Sequence, residues 1–210
     1  MAANPSSVAE WLVLARRGDD AARNQLFAAC RSYVGLRARI QMEKRLQGKV
    51  DASDLVQQSM LDAHRGFEEF SGTTPDEWFA WLNRVVARNA VDLVRHYIVA
   101  ERRAIGREHS LQGNGSADSD AAMPHEPAAA AQTPSQVVMQ WERQLELAAA
   151  IERLPADYRE VVVMRNILQL PFEEVARRLG RTTGAAQMLW MRAVEKLRGE
   201  MRGASMESRP

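Results

Sequence analysis

Residues 154–186 begin Leu154-Pro155-Ala156-Asp157-Tyr158, continue through Pro171-Phe172-Glu173-Glu174-Val175-Ala176, and reach Leu179-Gly180-Arg181-Thr182-Thr183-Gly184-Ala185-Ala186. The pattern predicts a short helix, a turn holding a glycine, and a longer helix with basic residues. That is the layout of a helix-turn-helix, a shape that delivers one helix into the major groove of DNA. In the short helix Phe172, Val175, Ala176 and Leu179 are expected inward, with Glu173, Glu174, Arg177 and Arg178 outward. Gly180 supplies the left-handed residue that ends it, and Thr182 or Thr183 caps the next helix.

In that longer helix Ala186, Trp190, Ala193 and Leu197 fall at i, i+4, i+7 and i+11, one apolar stripe that must face a core. The opposite face presents Thr183, Gly184, Gln187, Met188 and Leu189 near the helix N-terminus, where a recognition helix reads bases. Gln187 can hydrogen-bond a base edge, adenine most favourably, and Met188 or Leu189 can touch a thymine methyl. Arg177, Arg178, Arg181 and Arg192 are placed to meet phosphates, which set affinity but not sequence choice. A plain three-helix packing unit with solvated arginines would account for each feature singly. The short helix, the Gly180 turn and the apolar phasing occurring together favour DNA binding.

Working upstream, residues 8–99 read as helical. Trp11, Leu12, Leu14 and Ala15 take helical spacing, and Gly18-Asp19-Asp20 breaks the run. Asp20 is expected to cap a helix bearing Leu26, Phe27, Cys30, Val34 and Leu36. After Gly48, Asp51 or Ser53 can cap a helix with Leu55, Val56, Met60, Leu61 and Ala63. Thr74-Pro75 starts another that carries Trp78, Leu82, Val85, Val86, Ala90, Leu93 and Val94. Trp78 and Trp81, at helical spacing with Leu82 and Val85, read as core. No strand-like alternation occurs, so the chain is expected to be all-α.

Residues 106–136 differ in texture: Gly113, Gly115, Ser116, Ser119, Pro124, Pro127, Pro134 and the alanines 128–131 leave few large apolar side chains. A segment of this kind cannot bury enough surface to offset its ordering entropy and is expected to be a flexible linker. The expected organisation is therefore an N-terminal helical bundle over 8–100, an Ala/Pro/Gly/Ser-rich linker over 101–135, and a C-terminal helix-turn-helix domain over 136–201, with a frayed tail beyond Gly203.

The 210 residues, 46% apolar, suffice for small packed cores, and the formal net charge of +1 conceals an uneven distribution. Residues 84–107 carry Arg84, Arg88, Arg95, Arg102, Arg103 and Arg107 against Asp92 and Glu101, while 108–126 carry acids without Lys or Arg. A basic patch beside an acidic stretch averages away in the total. The single cysteine, Cys30, leaves no intramolecular disulfide or Cys-rich zinc site and is expected buried. Residues 1–7 lack a secretory pattern, and no run approaches the roughly 18 apolar residues of a membrane span. A cytoplasmic protein without membrane insertion is expected.

A second pair of blocks gives the helix-turn-helix its context. Asp54-Leu55-Val56-Gln57-Gln58 precedes Trp81-Leu82-Asn83-Arg84-Val85-Val86-Ala87-Arg88-Asn89-Ala90-Val91-Asp92. Together with Leu154-Pro155-Ala156-Asp157-Tyr158-Arg159-Glu160-Val161 and residues 172–180, they resemble the sigma-70 family of bacterial RNA polymerase sigma factors. The resemblance is to the small extracytoplasmic-function (ECF) group, which keeps only the second and fourth conserved domains, and it covers about residues 8–100 and 136–201.

The resemblance implies a region 2-type bundle and a region 4-type helix-turn-helix. It implies core RNA polymerase as a partner, through the β′ coiled coil and the β flap, with Asp54, Gln57 and Gln58 as the β′-gripping residues. These three form one polar ridge at i, i+3 and i+4; Gln58 stands where the family usually has glutamate. The resemblance places −10 promoter contacts on the loop 70–76 and the helix 83–95. There Asn83 and Asn89 would hydrogen-bond unpaired bases, and Arg84, Arg88 and Arg95 would hold phosphates. The −35 element would fall to the helix-turn-helix residues named above, although Ala185-Ala186-Gln187-Met188-Leu189 has fewer cations than the family pattern. Promoter DNA and an anti-sigma protein complete the implied partners.

A rival reading is a stand-alone helix-turn-helix regulator whose N-terminal half senses a signal or dimerises. The ridge at Asp54 and the Asn/Arg helix from Asn83 favour the sigma reading. An enzyme is the most distant reading. His64, His96, His109 and His125 are scattered, no nucleophile motif or phosphate-cradling loop occurs, and no cofactor or metal is expected.

Overall fold

Ser7 accepts a hydrogen bond from the Glu10 amide while the Glu10 carboxylate accepts one from the Ser7 amide, and this capping box starts α1 (Val8–Arg16). Gly18 ends the run with φ +90°, a left-handed conformation that a side chain would strain. The next cap is Asp19 and not the expected Asp20: its Oδ1 accepts from the Ala22 amide at 2.9 Å. It opens α2 (Asp20–Leu46). The computed structural model describes residues 7–46, 52–106 and 134–207, and every element among them is helical.

α3 (Ser53–Arg65) starts without a side-chain cap, so Ser53 does not serve as the expected cap, and Asp51 lies outside the described residues. The loop that follows folds over its own aromatic residue. A Cβ added at Gly72 would lie 2.3 Å from the Phe70 ring, so only glycine allows this close approach. The Arg16 guanidinium donates to the Phe70 carbonyl. Thr74 then caps α4 (Pro75–Gly106) as its sequence predicts: Thr74 Oγ1 accepts from the Glu77 amide at 3.3 Å, and the Glu77 carboxylate accepts from the Thr73 and Thr74 amides at 2.8 and 3.0 Å.

α1–α4 close on a core built around Trp78, which is fully buried between Phe27, Phe67 and Phe70 with centroid distances of 5.4, 5.7 and 5.4 Å. Leu12, Leu26, Leu55, Phe79, Leu82 and Ala90 fill the remainder. Cys30 is fully buried, as expected, and its sulfur accepts from the Trp78 indole N–H at 3.3 Å. Truncating Trp78 to alanine would cost about 3–5 kcal/mol, the range typical of a large buried aromatic.

The second unit runs α5 (Pro134–Arg153), α6 (Ala156–Val162), a π-helical turn Val163–Ile167, α7 (Phe172–Arg178) and α8 (Thr183–Glu207). Its core gathers Leu154, Val161, Val162, Val163, Met164, Val175, Ala176, Ala186 and Ala193. Two boundaries differ from expectation. α4 continues past residue 100 to Gly106, and α8 past 201 to Glu207, because the good helix formers Glu101, Arg102, Arg103 and Ala104 in the one, and Arg202, Ala204, Met206 and Glu207 in the other, outweigh the isolated glycines. Of the linker expected over 101–135, residues 101–106 are the end of α4, 134–135 begin α5, and 107–133 lie outside the described residues.

The two cores meet. Ile40 of α2 is buried in the second core, and Ala148 of α5 in the first. Trp141 of α5 stacks on Phe79 at 4.0 Å and 16°, meets Tyr33 edge-on at 6.1 Å, and donates its indole N–H to Asp76. α5, expected simply to open the C-terminal unit, instead lies against α2 and α4 because its apolar face is wide enough to serve both cores.

Candidate nucleic-acid interface

The turn of the helix-turn-helix is a Schellman motif. Gly180 adopts φ +61°, its amide donates to the Arg177 carbonyl at 3.3 Å, and the Arg181 amide reaches back to the Ala176 carbonyl at 2.9 Å. Thr182, the first of the two threonines considered, is the cap: its Oγ1 accepts from the Ala185 amide at 3.3 Å.

On α8 the stripe of Ala186, Trp190, Ala193 and Leu197 faces the core as its spacing predicts, the two alanines fully buried and the other two packed at the margin. Trp190 is anchored by its indole N–H on Asn166 Oδ1 at 2.8 Å and by an edge-on contact with Phe172, over which the Arg165 guanidinium lies at 4.9 Å. Together these contacts lock the angle between α7 and α8. Asn166 sits in the π-helical turn, and its spacing in the sequence carries no sign of this role.

The candidate reading face is only partly as expected. Gln187, Met188 and Arg192 are exposed, with Met188 48% accessible, and Thr183 is half-buried. Leu189 differs: it is half-buried and packs against the second core. The reason is geometric, since position 189 lies three residues after Ala186 and four before Ala193, both of them on the stripe. Met191, 53% accessible, is the exposed apolar residue that periodicity alone did not single out.

The cations divide into two groups. Arg177 is exposed and bonds Glu174 at 2.6 and 2.7 Å. Arg181 pairs with Asp157. Arg178, expected outward, is the exception: its side chain is 15% accessible, and it bonds Glu174 at 2.6 Å and Glu43 of α2 at 2.7 Å. Hydrogen bonds from Arg177 and then Arg178 hold the Glu174 carboxyl down at about 2. Burial works against the charge on Arg178, but the bonds from Glu174 and Glu43 outweigh it and its pKa moves up. The i, i+3 and i, i+4 partners of Glu174 are legible in sequence; Glu43 is not.

In the first unit Asp54, Gln57 and Gln58 are all exposed on α3. Gln58 donates to Asp62 Oδ1 at 2.9 Å. Asp62 also receives Asn89 Nδ2 at 3.0 Å and stands 3.9 Å from Arg88, so one carboxylate ties the α3 ridge to α4. Arg84, Arg88 and Arg95 are exposed along α4. Asn83 is half-buried and exchanges hydrogen bonds with the Tyr33 hydroxyl at 2.9 and 3.2 Å. Asn89 is 7% accessible with its amide committed to Ser59 and Asp62, which gives it a helix-joining role here. Trp78 is core, as expected, and Trp81 stacks on it at 5.1 Å. No group of acidic, histidine or cysteine side chains among the described residues could hold a metal ion, and no helix among them is long and apolar enough to cross a membrane.

The geometry defines a helical protein with a helix-turn-helix in its second unit, and residues 144–197 match the family model described as Sigma-70, region 4. The chain is 27% identical over 158 residues to the ECF RNA polymerase sigma factor SigE of Mycolicibacterium smegmatis, covering 75% of this chain and 54% of that protein. It is 24% identical over 155 residues to the ECF RNA polymerase sigma-E factor of Escherichia coli, covering 70% and 72%. The sigma-70 region 4 match is thus confined to the second unit, while the similarity to ECF sigma factors extends over 70–75% of the chain. The chain spans about half the length of the mycobacterial relative.

Among solved structures, it is similar to CnrH in complex with the cytosolic domain of CnrY, at 22% identity over 94% of this chain and 99% of that one with a TM-score of 0.35. It is also similar to the sigma factor RpoE of Bartonella quintana in complex with the anti-sigma factor NepR, at 16% identity over 86% and 96% with a TM-score of 0.30. Those scores are too low to transfer an arrangement of units or a partner.

Proposed function

We propose that this chain is a promoter-specificity subunit: it binds core RNA polymerase, recognises −35 and −10 elements and promotes opening of the duplex. The observation that carries the reading is the coincidence of the region 4 match with an intact helix-turn-helix whose α8 exposes Gln187, Met188 and Arg192. In this reading the unit over 136–201 engages the −35 element and the β flap. Gln187 and Met188 read base edges, and Arg177, Arg178, Arg181 and Arg192 hold phosphates. Leu189 supports the helix from beneath and Thr183 lies at its start.

The unit over 8–100 binds the β′ coiled coil through Asp54, Gln57 and Gln58. Arg84, Arg88 and Arg95 attract the −10 strand, and Asn83 and Asn89 lie beneath that cationic row. Polymerisation chemistry belongs to the polymerase, and no catalytic step is assigned to this chain. The site of action is the cytoplasm, and the resemblance to ECF sigma factors makes an anti-sigma protein the expected regulator.

The test is in vitro transcription with the purified protein and core RNA polymerase on pooled genomic promoter fragments. Discrete start sites that require the protein are expected, and their upstream sequences would give the −35 and −10 motifs. Absence of polymerase binding and of transcripts, with the protein shifting duplex DNA alone, would replace this reading with the stand-alone regulator.

A further inference from the structure

Two departures of the backbone from regular geometry sit side by side in the C-terminal unit. The turn Val163–Ile167 is π-helical, and the Leu168 amide donates to the Val163 carbonyl at 2.9 Å, five residues back. The Leu170 amide reaches the Met164 carbonyl at 3.0 Å. Between these two amides Gln169 takes φ +54°, the one left-handed residue other than glycine among the described residues. A side chain makes that conformation costly. Such features persist where surrounding contacts hold them, and they gather at functional sites.

Here the contacts form a closed circuit of side chains. Arg165 Nη1 donates to the Leu170 carbonyl at 3.2 Å, and its guanidinium lies 4.9 Å over the Phe172 ring at the start of α7. Phe172 meets Trp190 of α8 edge-on at 5.7 Å, and Trp190 Nε1 donates to Asn166 Oδ1 at 2.8 Å. Arg165 and Asn166 are neighbours in the chain, so the circuit begins and ends on the π-helical turn. α8 has little else to fix its rotation near the reading residues. Among its described side chains only Ala186 and Ala193 are fully buried, and a methyl group offers neighbouring elements little to grip. The Arg153–Glu200 bond at 2.9 Å holds a later part of the helix. Trp190 is the large side chain with a directional bond, and it stands three residues after Gln187, a neighbour on the same side of α8.

We infer that Asn166 is a positioning residue for base reading by α8: its bond to Trp190 fixes the rotation of the helix and so decides which base edges Gln187 and Met188 meet. A recognition group keeps its bond to a base edge only when held to within about 0.5 Å and 10–20° by supporting contacts. The amide oxygen of Asn166 accepts from the indole without adding a negative charge to a unit that approaches phosphates. The inference deepens the proposed function and rests on its assignment of Gln187 and Met188 as reading residues. It assigns Asn166 no base contact of its own.

The experiment is a double-mutant cycle on the full chain, read in transcription with core polymerase. The template is a promoter from the assay above, randomised at the −35 element and, separately, at the −10 element. Asn166→Ala and Trp190→Phe are each expected to flatten the −35 base preference by about fivefold, the factor of one net hydrogen bond. The double variant is expected to flatten it no further than either alone. The −10 preference of every variant is expected to match the parent. Asn166→Asp keeps an acceptor for the indole and is expected to keep the parental −35 profile. Circular dichroism confirms that each variant remains helical, and if Asn166→Ala fails to fold, Asn166→Ser carries the same expectations.

An unchanged −35 profile in both single variants overturns the inference and leaves the sigma reading standing. A drop in output that is equal for all −35 sequences does the same, since a merely structural contact acts in that way. Additive flattening in the double variant, or flattening by Asn166→Asp, overturns the bond to Trp190 as the agent. A parent that directs no transcription sinks the sigma reading, and the cycle is then read on duplexes that the chain alone selects from a randomised pool. Flattening there upholds the positioning role of Asn166 in a stand-alone reader, whereas an unchanged profile or no selection at all overturns it.

Discussion

Arg178 Nη1 donates to Glu43 Oε1 at 2.7 Å across 135 positions of sequence, and this bond joins α7 of the helix-turn-helix unit to α2 of the other. Both side chains are largely sequestered, at 15% and 10% accessibility. Removing one partner therefore leaves the other poorly solvated. In a double-mutant cycle, Glu43→Ala and Arg178→Ala are each expected to cost roughly 1–3 kcal/mol in urea unfolding, and the double substitution less than their sum. Additive costs would show that the pair is not coupled.

Asn89 should behave as a structural residue when tested for stability. Its amide bonds Ser59 at 3.4 Å and Asp62 at 3.0 Å in a site that is 7% accessible. Replacing it by alanine removes the buried bonds to Ser59 and Asp62, with Gln58 and Arg88 still beside that carboxylate, and is expected to cost about 1–2 kcal/mol. Arg84→Ala, at an exposed position on the same helix, is expected to leave the unfolding midpoint in place. Equal midpoints for the two variants would contradict the packing described here.

Acid should loosen the start of α4 in a defined window. The Thr73 amide, the Thr74 hydroxyl and the Thr74 amide hold the Glu77 carboxyl below its ordinary value of 4.5. A depressed carboxyl contributes stability above its unfolded pKa and loses it as pH falls through the folded value. The stability difference between the parent and Glu77→Gln should therefore be constant above pH 4.5 and shrink progressively below it. A difference that persists undiminished at the lowest pH would assign the effect to something other than this carboxylate.

The Cys30 thiol is pushed up to about 12 by burial, against the opposing hydrogen bond from Trp78. A thiol must ionise and be reached by reagent to react. Cys30 should thus resist a thiol-specific chromogenic reagent at pH 8 in the native protein and react stoichiometrically in denaturant. Rapid labelling of the native chain would mean that the Trp78 core opens far more readily than its packing implies.

The exposed ridge of α3 gives the functional counterpart. Asp54→Ala with Gln57→Ala is expected to weaken core polymerase binding by at least tenfold, about 1.4 kcal/mol. The unfolding midpoint should stay within about 0.5 kcal/mol of the parent, as for surface substitutions generally. Unchanged polymerase affinity would remove the ridge from the interface.

Much of this architecture was legible without coordinates. Period alone marks Ala186 and Ala193 as core, because a helix repeats its faces every 3.6 residues. Gly180 and Thr182 declare the turn, because only glycine takes the left-handed conformation cheaply and a hydroxyl caps the helix that follows. Thr74 with Pro75 did the same for α4. These are local relations, settled within a few residues.

The tertiary structure decided what depends on distant partners. Sequence placed Arg178 outward beside Arg177, yet Glu43 draws it inward from 135 positions away. It placed Asn89 among base-contacting residues, yet Ser59 and Asp62 hold its amide. It assigned α5 to one unit, yet Trp141 and Ala148 pack into the other. Helical periodicity states which face of an element is apolar or charged, and it carries no information about which other element will meet that face. The chain by itself therefore determined its helices, their caps and the helix-turn-helix, while packing alone determined which of its cations and amides remain available to a partner.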